Sequence, residues 1–257
     1  MLDAGLNEGV SLSVDSRGVA YLTFAHPRSN SLPGAVLAAL ADAVRGLGGR
    51  SDVKVVVLGS AGDRAFCAGA SFDELVAISD EEEGLRFFMG FAHVINALRS
   101  IPQLVIGRVQ GKAVGGGVGL AAATDYCLAT RFAAVKLSEL AVGIGPFVVG
   151  PAVERKLGVS AMSQLAVDAT AWRSADWAQS RGLYADVLED VTALDAAVEA
   201  LAGRLAASNP EAMAELKRVF WSGCEDWDTL LAARAAVSGR LVLSDFTREA
   251  IARFKAG

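Results

Sequence analysis

The sequence predicts an α/β protein in which strands and helices alternate, followed by a helical C-terminal region. Three observations carry this prediction. Two glycine-bearing turns, Phe66-Cys67-Ala68-Gly69-Ala70 and Gly115-Gly116-Gly117, each lie between a strand-like and a helix-like run. Two short β-branched runs, 54–58 and 103–109, have the length and composition of buried strands. Beyond Ser160 the apolar periodicity is mostly helical, with one short extended piece at 184–188.

Each element has a local reason. Val10 to Val14 alternates, Asp15-Ser16-Arg17-Gly18 turns, and Val19 to Phe24 returns, which predicts a hairpin. His26 to Asn30 is a loop. Ser31 and Pro33 open a helix that runs to about Gly46, with Val36, Leu37, Leu40 and Val44 on one face. After the strand at 54–58 and the turn at 66–70, a helix starts at Ser71. A long helix covers 80–99, where Leu85, Phe88, Ala92, Ile95 and Leu98 keep helical spacing and Pro102 lies just beyond. The strand at 103–109 leads into the triple glycine. Tyr126 to Ala129 is a strand, 136–142 is extended with Glu139 inside it, and 143–146 is a turn. A helix over 148–157 ends at Gly158. Helices are expected at 192–207, 210–221, 225–243 and 245–255.

Bulk composition excludes several function classes. The 257 residues are 53% hydrophobic and 21% charged, enough to bury a sizeable core. The net charge is −5 without a basic run, which argues against nucleic acid as a partner. Three cysteines, far apart and odd in number, suggest a reducing compartment rather than a disulfide framework. The N-terminus carries no basic segment followed by an apolar one, so no signal peptide is expected, and the cytoplasm is the expected location. No run of about 18 apolar residues calls for a membrane span. His26 and His93 are the only histidines, and no paired Cys or His spacing predicts a metal.

The chemistry centres on 111–125, GKAVGGGVGLAAATD. Glycines at a strand-to-helix turn let a ligand approach the backbone. The first N–H groups of the helix that follows have no intrahelical partner and favour negative charge. A phosphate or a developing oxyanion suits such a place. A lone glycine there would more often serve packing, but three in a row favour function. The segment 117–122 also fits G-x-G-x-x-A, the dinucleotide fingerprint, with Glu139 at the spacing of its ribose-binding acid. Two strand–turn–helix junctions can each aim one N–H at a shared carbonyl oxygen, which would make an oxyanion hole.

Taken together, Phe66-Cys67-Ala68-Gly69-Ala70, Gly111, Gly115-Gly116-Gly117, Asp125, and Ser138-Glu139 with Gly143 and Pro146 resemble the crotonase (enoyl-CoA hydratase/isomerase) superfamily. Ala175, Ala178, Gly182-Leu183 and Val187 match a further segment of its pattern, and the likeness covers roughly 10–255. It displaces the dinucleotide reading, which leaves the 66–70 turn unexplained. The resemblance implies repeated ββα units forming a two-sheet core over 1–195. It implies a helical region over 196–257 that serves trimerisation and covers coenzyme A, and a homotrimer or hexamer. The substrate would be an acyl-CoA thioester, with coenzyme A as part of the substrate and no separate cofactor. Its carbonyl would sit between the N–H groups of Ala70 and Gly116, with Glu139 as acid and base. Ala68 and Ala70 would meet the adenine, Arg28 a phosphate, and Gly119 and Phe72 the acyl group.

The departures from the family pattern are as informative. Many family hydratases hold water between two glutamates, and the first would stand at Gly119. GGGVGL with S-E-x-x-x-G-x-x-P is similar to a bacterial branch handling 3-methylglutaconyl-CoA and related branched esters, which works without that first glutamate. Ser71 and Asp73 replace a common aspartate and lysine, and Lys136 stands where a small residue is usual. The leading expectation is therefore hydration or dehydration of a short branched 2,3-enoyl-CoA by Glu139. A double-bond isomerase with one glutamate is the alternative, a decarboxylase is more distant, and a non-catalytic acyl-CoA binder is a third class. Asp125 is expected to fix a turn and His93 to lie in packing or at the surface. No histidine is placed to activate Cys67. The four tryptophans are expected in packing or a subunit interface.

Overall fold

Residues 9–25 fold back on themselves because Asp15 organises the reversal. Its carboxylate accepts from the N–H groups of Arg17 and Val19 at 2.9 and 3.0 Å. The hairpin β1 (Gly9–Val14) and β2 (Val19–Ala25) is antiparallel, pairing Leu12 with Leu22. Every later strand of the large sheet joins in parallel, in the order β1-β2-β4-β6-β8-β10. These are β4 (Val55–Ser60), β6 (Leu104–Val109), β8 (Tyr126–Thr130) and β10 (Asp186–Leu188). β4 and β6 are buried along their whole length, which explains their unbroken apolar character. The computed structural model describes the fold of residues 1–256 and the side chains of 1–253; residue 257, the end of the expected helical region, lies outside the described residues.

Helices cover both faces of this sheet. On one face lie α1 (Gly34–Gly48), α3 (Glu81–Ser100), α4 (Gly116–Ala122) and α5 (Gly150–Val167), with Leu37, Leu40, Ile95, Leu98 and Leu120 in one continuous core. On the other face α7 (Val191–Ala206) places Leu194, Val198 and Ala202 against Val19, Val55, Val57 and Ile106. A boundary between residues 195 and 196 would thus cut α7; the helical region begins at Val191, where Asp190 caps the first turn. It continues through α8 (Pro210–Phe220), α9 (Trp227–Leu241) and α10 (Asp245–Ala256). The short helices α2 (Phe72–Ala77) and α6 (Ala175–Ser180) start at serine caps, Ser71 and Ser174. The fold is the expected α/β core with a helical C-terminal region.

Two details differ from the sequence expectation. Segment 136–142 is not one extended piece: Val135–Lys136 forms β9, and Glu139–Val142 is a 3-10 turn closed by Gly143 in a left-handed conformation. At Gly158, with φ 78° and ψ 160°, two helices meet across a kink, so the first helix of α5 ends there as expected and a second follows at once. Leu85 is exposed at 36%, because its neighbour Gly84 faces the core instead. A Cβ built on Gly84 would meet the Gly239 backbone at 2.7 Å, so α3 and α9 touch main chain to main chain.

The C-terminal helices are bolted to the sheet through Asp125. Its carboxylate accepts from Val105 N–H and Trp221 Nε1, both at 2.8 Å, and pairs with Lys217 Nζ at 3.1 Å. Lys217 also donates to Gln103 O at 2.7 Å. Asp125 and Lys217 are each 3% exposed at the side chain, so a charge pair is sealed inside. Burial lowers the lysine's pKa, and the aspartate beside it pulls the other way.

Candidate active site

The site is built where three turns lie side by side. β3 (Ser31–Leu32) pairs with β5 (Gly69–Ala70), and β7 (Ala113–Val114) pairs with β9. Cys67 bridges Ala113 and Val135 bridges Arg173, which joins the two pairs into one small-stranded layer. Val114 N–H donates to Cys67 O, and Gly115 N–H to Lys136 O, each at 2.9 Å. Gly69 and Gly115 make the bends, with φ 94° and 52°, a region closed to most other residues. A Cβ added to Gly69 would stand 3.8 Å from Gly116 N, which measures how closely the two turns approach.

Ala70 and Gly116 both face a cavity of about 790 Å³. Gly116 opens α4, where an N–H has no intrahelical acceptor. Its Cα is wedged against the Phe91 ring: an added Cβ would fall 2.2 Å from Phe91 Cζ. Cys67 sits beneath the turn, its Sγ accepting from Gly69 N–H at 3.4 Å. Burial pushes the Cys67 thiol up to about 12, so it is no nucleophile at neutral pH.

Glu139 lies at the start of the 3-10 turn, with its carboxyl beside the bend of Gly115. A Cβ on Gly115 would stand 2.9 Å from Glu139 Oε1. Oε2 is closed to solvent and has no hydrogen-bond partner among the described residues. Burial drives the carboxyl up to about 7; a bond from its own backbone N–H pulls back only in part. Around it the cavity wall is apolar, with Phe87, Phe88, Phe91, Ile144, Phe147 and Val148.

The cavity gathers most of the residues singled out from sequence. Arg28, Ala68, Ala70, Phe72, Gly116 and Glu139 all line it. Gly119 does not line it and is corrected here: it is buried in α4 against α5, where an added Cβ would meet Val149 Cγ1 at 2.5 Å. Val149 thus fills the place that a side chain at 119 would need, and itself lines the cavity. Arg28 is held by an exposed ion pair with Asp73. Asp125 is structural, as expected. His93 is exposed. Sequence reasoning missed Phe91 and Val149. Phe91 had a helical position but no motif, and Val149 reaches the site only through the crossing of α4 and α5.

No group of three or more His, Cys, Asp or Glu among the described residues is placed to hold a metal. No helix among them is long and apolar enough to cross a membrane. Gly117 and Gly119 are packed inside the protein rather than laid open to a dinucleotide.

Comparison with known proteins fits this geometry. The family model described as enoyl-CoA hydratase/isomerase matches residues 15–255. An ethylmalonyl-CoA decarboxylase of Gallus gallus is 30% identical over 158 residues, 61% of this chain and 53% of the relative. The chain thus spans about half the length of the curated relatives it matches. An enoyl-CoA hydratase structure from Mycobacterium avium superposes with TM-score 0.86 at 26% identity, covering 98% of this chain and 97% of that one. One from Mycobacterium smegmatis gives TM-score 0.78 at 31% identity, with 96% of each chain covered. With the match running through both glycine turns and Glu139, the chain belongs to the enoyl-CoA hydratase/isomerase family.

Proposed function

We propose that this site moves a proton at the α-carbon of an acyl-CoA thioester, with Glu139 as the carboxyl that carries it. The observation behind this is the Glu139 carboxyl itself: Oε2 is closed to solvent and without a partner, and burial raises the group to about 7 beside the first turn of α4. A group with that acidity accepts and returns a proton with similar ease near neutrality. The N–H groups of Ala70 and Gly116 would meet the thioester oxygen and stabilise the enolate formed when the proton leaves. Donors of this kind act most strongly where water is excluded, as the phenylalanine wall provides.

Among reactions of this class, the geometry favours double-bond isomerisation. One carboxyl suffices there: Glu139 takes a proton from one carbon, the electron pair shifts along the enolate, and the same carboxyl returns the proton two carbons away. A side chain at 119 would meet Val149, and Glu139 is the carboxyl that lines the cavity, which supports a reaction needing one acid. Hydration or dehydration of a short branched 2,3-enoyl-CoA is the second reading, supported by the GGGVGL and S-E-x-x-x-G-x-x-P strings. Decarboxylation is the third, supported by the Gallus gallus relative.

The test is mass spectrometry of products from 3-enoyl-CoA, crotonyl-CoA and 3-methylglutaconyl-CoA in heavy-oxygen water and, separately, in deuterium oxide. Deuterium at the α- or γ-carbon without heavy oxygen supports isomerisation. Heavy oxygen in a hydroxyacyl product supports hydration. Wild-type protein that binds the esters yet exchanges no α-proton would sink the proposal and leave a binder.

A further inference from the structure

One row of residues crosses the small-stranded layer on its cavity side. Val114 stands in register with Lys136, Cys67 opposite Ala113, and Val135 opposite Arg173. Successive side chains of a strand point to opposite faces. Cys67, Ala113 and Val135 go to the core, where all three are fully buried. Ala68, Val114 and Lys136 go the other way and line the cavity. Lys112, two before Val114, takes the same side, and Trp172, one before Arg173, extends the row. There Lys112 Nζ lies 4.9 Å and Lys136 Nζ 4.7 Å from the centroid of the Trp172 ring. The ring is not buried packing, since Trp172 is 41% exposed.

Each ammonium gains from the electron-rich face of the indole. Two such groups on one ring also repel each other, within about one screening length. Among the described residues neither lysine has an ion-pair partner, and the carboxylate of the adjoining segment, Asp168, is held by Arg173 at 3.1 Å. Lys136 of this pair lines the cavity, so in a chain of net charge −5 the positive charge stands at its edge.

We propose that Lys112, Lys136 and Trp172 form an oxyanion-binding subsite continuous with the cavity, in which the indole positions two ammonium groups to clamp a carboxylate or phosphate of the ligand. The inference rests on the reading of the cavity as an acyl-CoA site. Such a ligand carries oxyanions in two places, the phosphates of coenzyme A and a carboxylate at the far end of a dicarboxylic acyl group. The binding chemistry is the same for both, and the choice of ligand separates them.

The experiment is calorimetric titration of the full chain, as wild type, Lys112→Gln and Lys136→Gln. The ligands are butyryl-CoA, glutaryl-CoA and S-butyryl-pantetheine, which lacks the phosphates. Loss of one charge-assisted contact should weaken binding roughly tenfold, and Lys→Arg at the same positions should restore it. If the clamped group is a phosphate, both CoA esters weaken and the pantetheine ester does not. If it is an acyl carboxylate, glutaryl-CoA alone weakens. Binding of all three ligands unchanged within about a factor of two in both Gln variants overturns the subsite while leaving the acyl-CoA reading in place. Wild-type protein that binds neither CoA ester overturns both.

Discussion

At the scale of single residues, Glu139 concentrates the consequences. Glu139→Gln keeps the shape of the side chain and removes the proton carrier, so kcat should fall by roughly 10² to 10⁴-fold. Affinity for a saturated acyl-CoA, read by calorimetry, should stay within about twofold of wild type. The same variant has a stability signature. Burial holds the neutral form, so the folded carboxyl ionises near 7 whereas an unfolded one ionises near 4.5. Its contribution is therefore complete below 4.5 and lost as pH rises through 7, about 3 kcal/mol in all. Urea unfolding should find the Gln variant more stable than wild type at pH 8 by up to that amount, with the difference vanishing below about pH 4.5. An equal difference at both pH values would show that the carboxyl is not held neutral by its surroundings. Glu139 was legible in the sequence from its place before Gly143 and Pro146. Its acidity was not, because the phenylalanines that dry it come from α3 and from 143–149.

At the scale of elements, the crossing of α4 and α5 decides what chemistry the site can host. Gly119→Ala would drive a methyl group into Val149 and should cost about 1 to 3 kcal/mol. Val149→Ala should relieve most of that loss in the double variant, a coupling that a thermal or urea double-mutant cycle reads directly. Additive effects would mean that the two side chains do not meet. The hairpin, the strands at 54–58 and 103–109, and the helix over 80–99 follow from local periodicity, which is why their positions could be foreseen. The 3-10 turn at Glu139 could not. Its apolar residues fit a strand equally well; the turn is closed by Gly143 in a left-handed conformation, packed against Phe246 and Thr247 of α10. Gly158 was legible: its left-handed φ ends one helix, and a second follows directly across a kink.

At the scale of the whole molecule, one buried charge pair ties the C-terminal helices to the sheet. Lys217→Met would leave the Asp125 carboxylate without its cation and should destabilise the protein by about 3 to 5 kcal/mol, measured by urea unfolding. Loss of less than about 1 kcal/mol would show that the backbone and indole donors to Asp125 suffice alone. Asp125 was foreseen as structural, but its partner was not: Lys217 looks like a surface residue of α8 in sequence. The division into a core and a helical region was visible as a change in periodicity. The exact boundary was not, since α7 belongs to the sheet by packing and to the helical region by order.

The contact between α10 and the 3-10 turn also has a meaning in time. Ala250 and Arg253 line the cavity, and Phe246 and Thr247 press on Gly143 just beyond Glu139. Both glycine turns and the acid are therefore synthesised long before the segment that closes the wall over them. A nascent chain on the ribosome would thus carry both turns and Glu139 about a hundred residues before the part of α10 that completes the cavity wall.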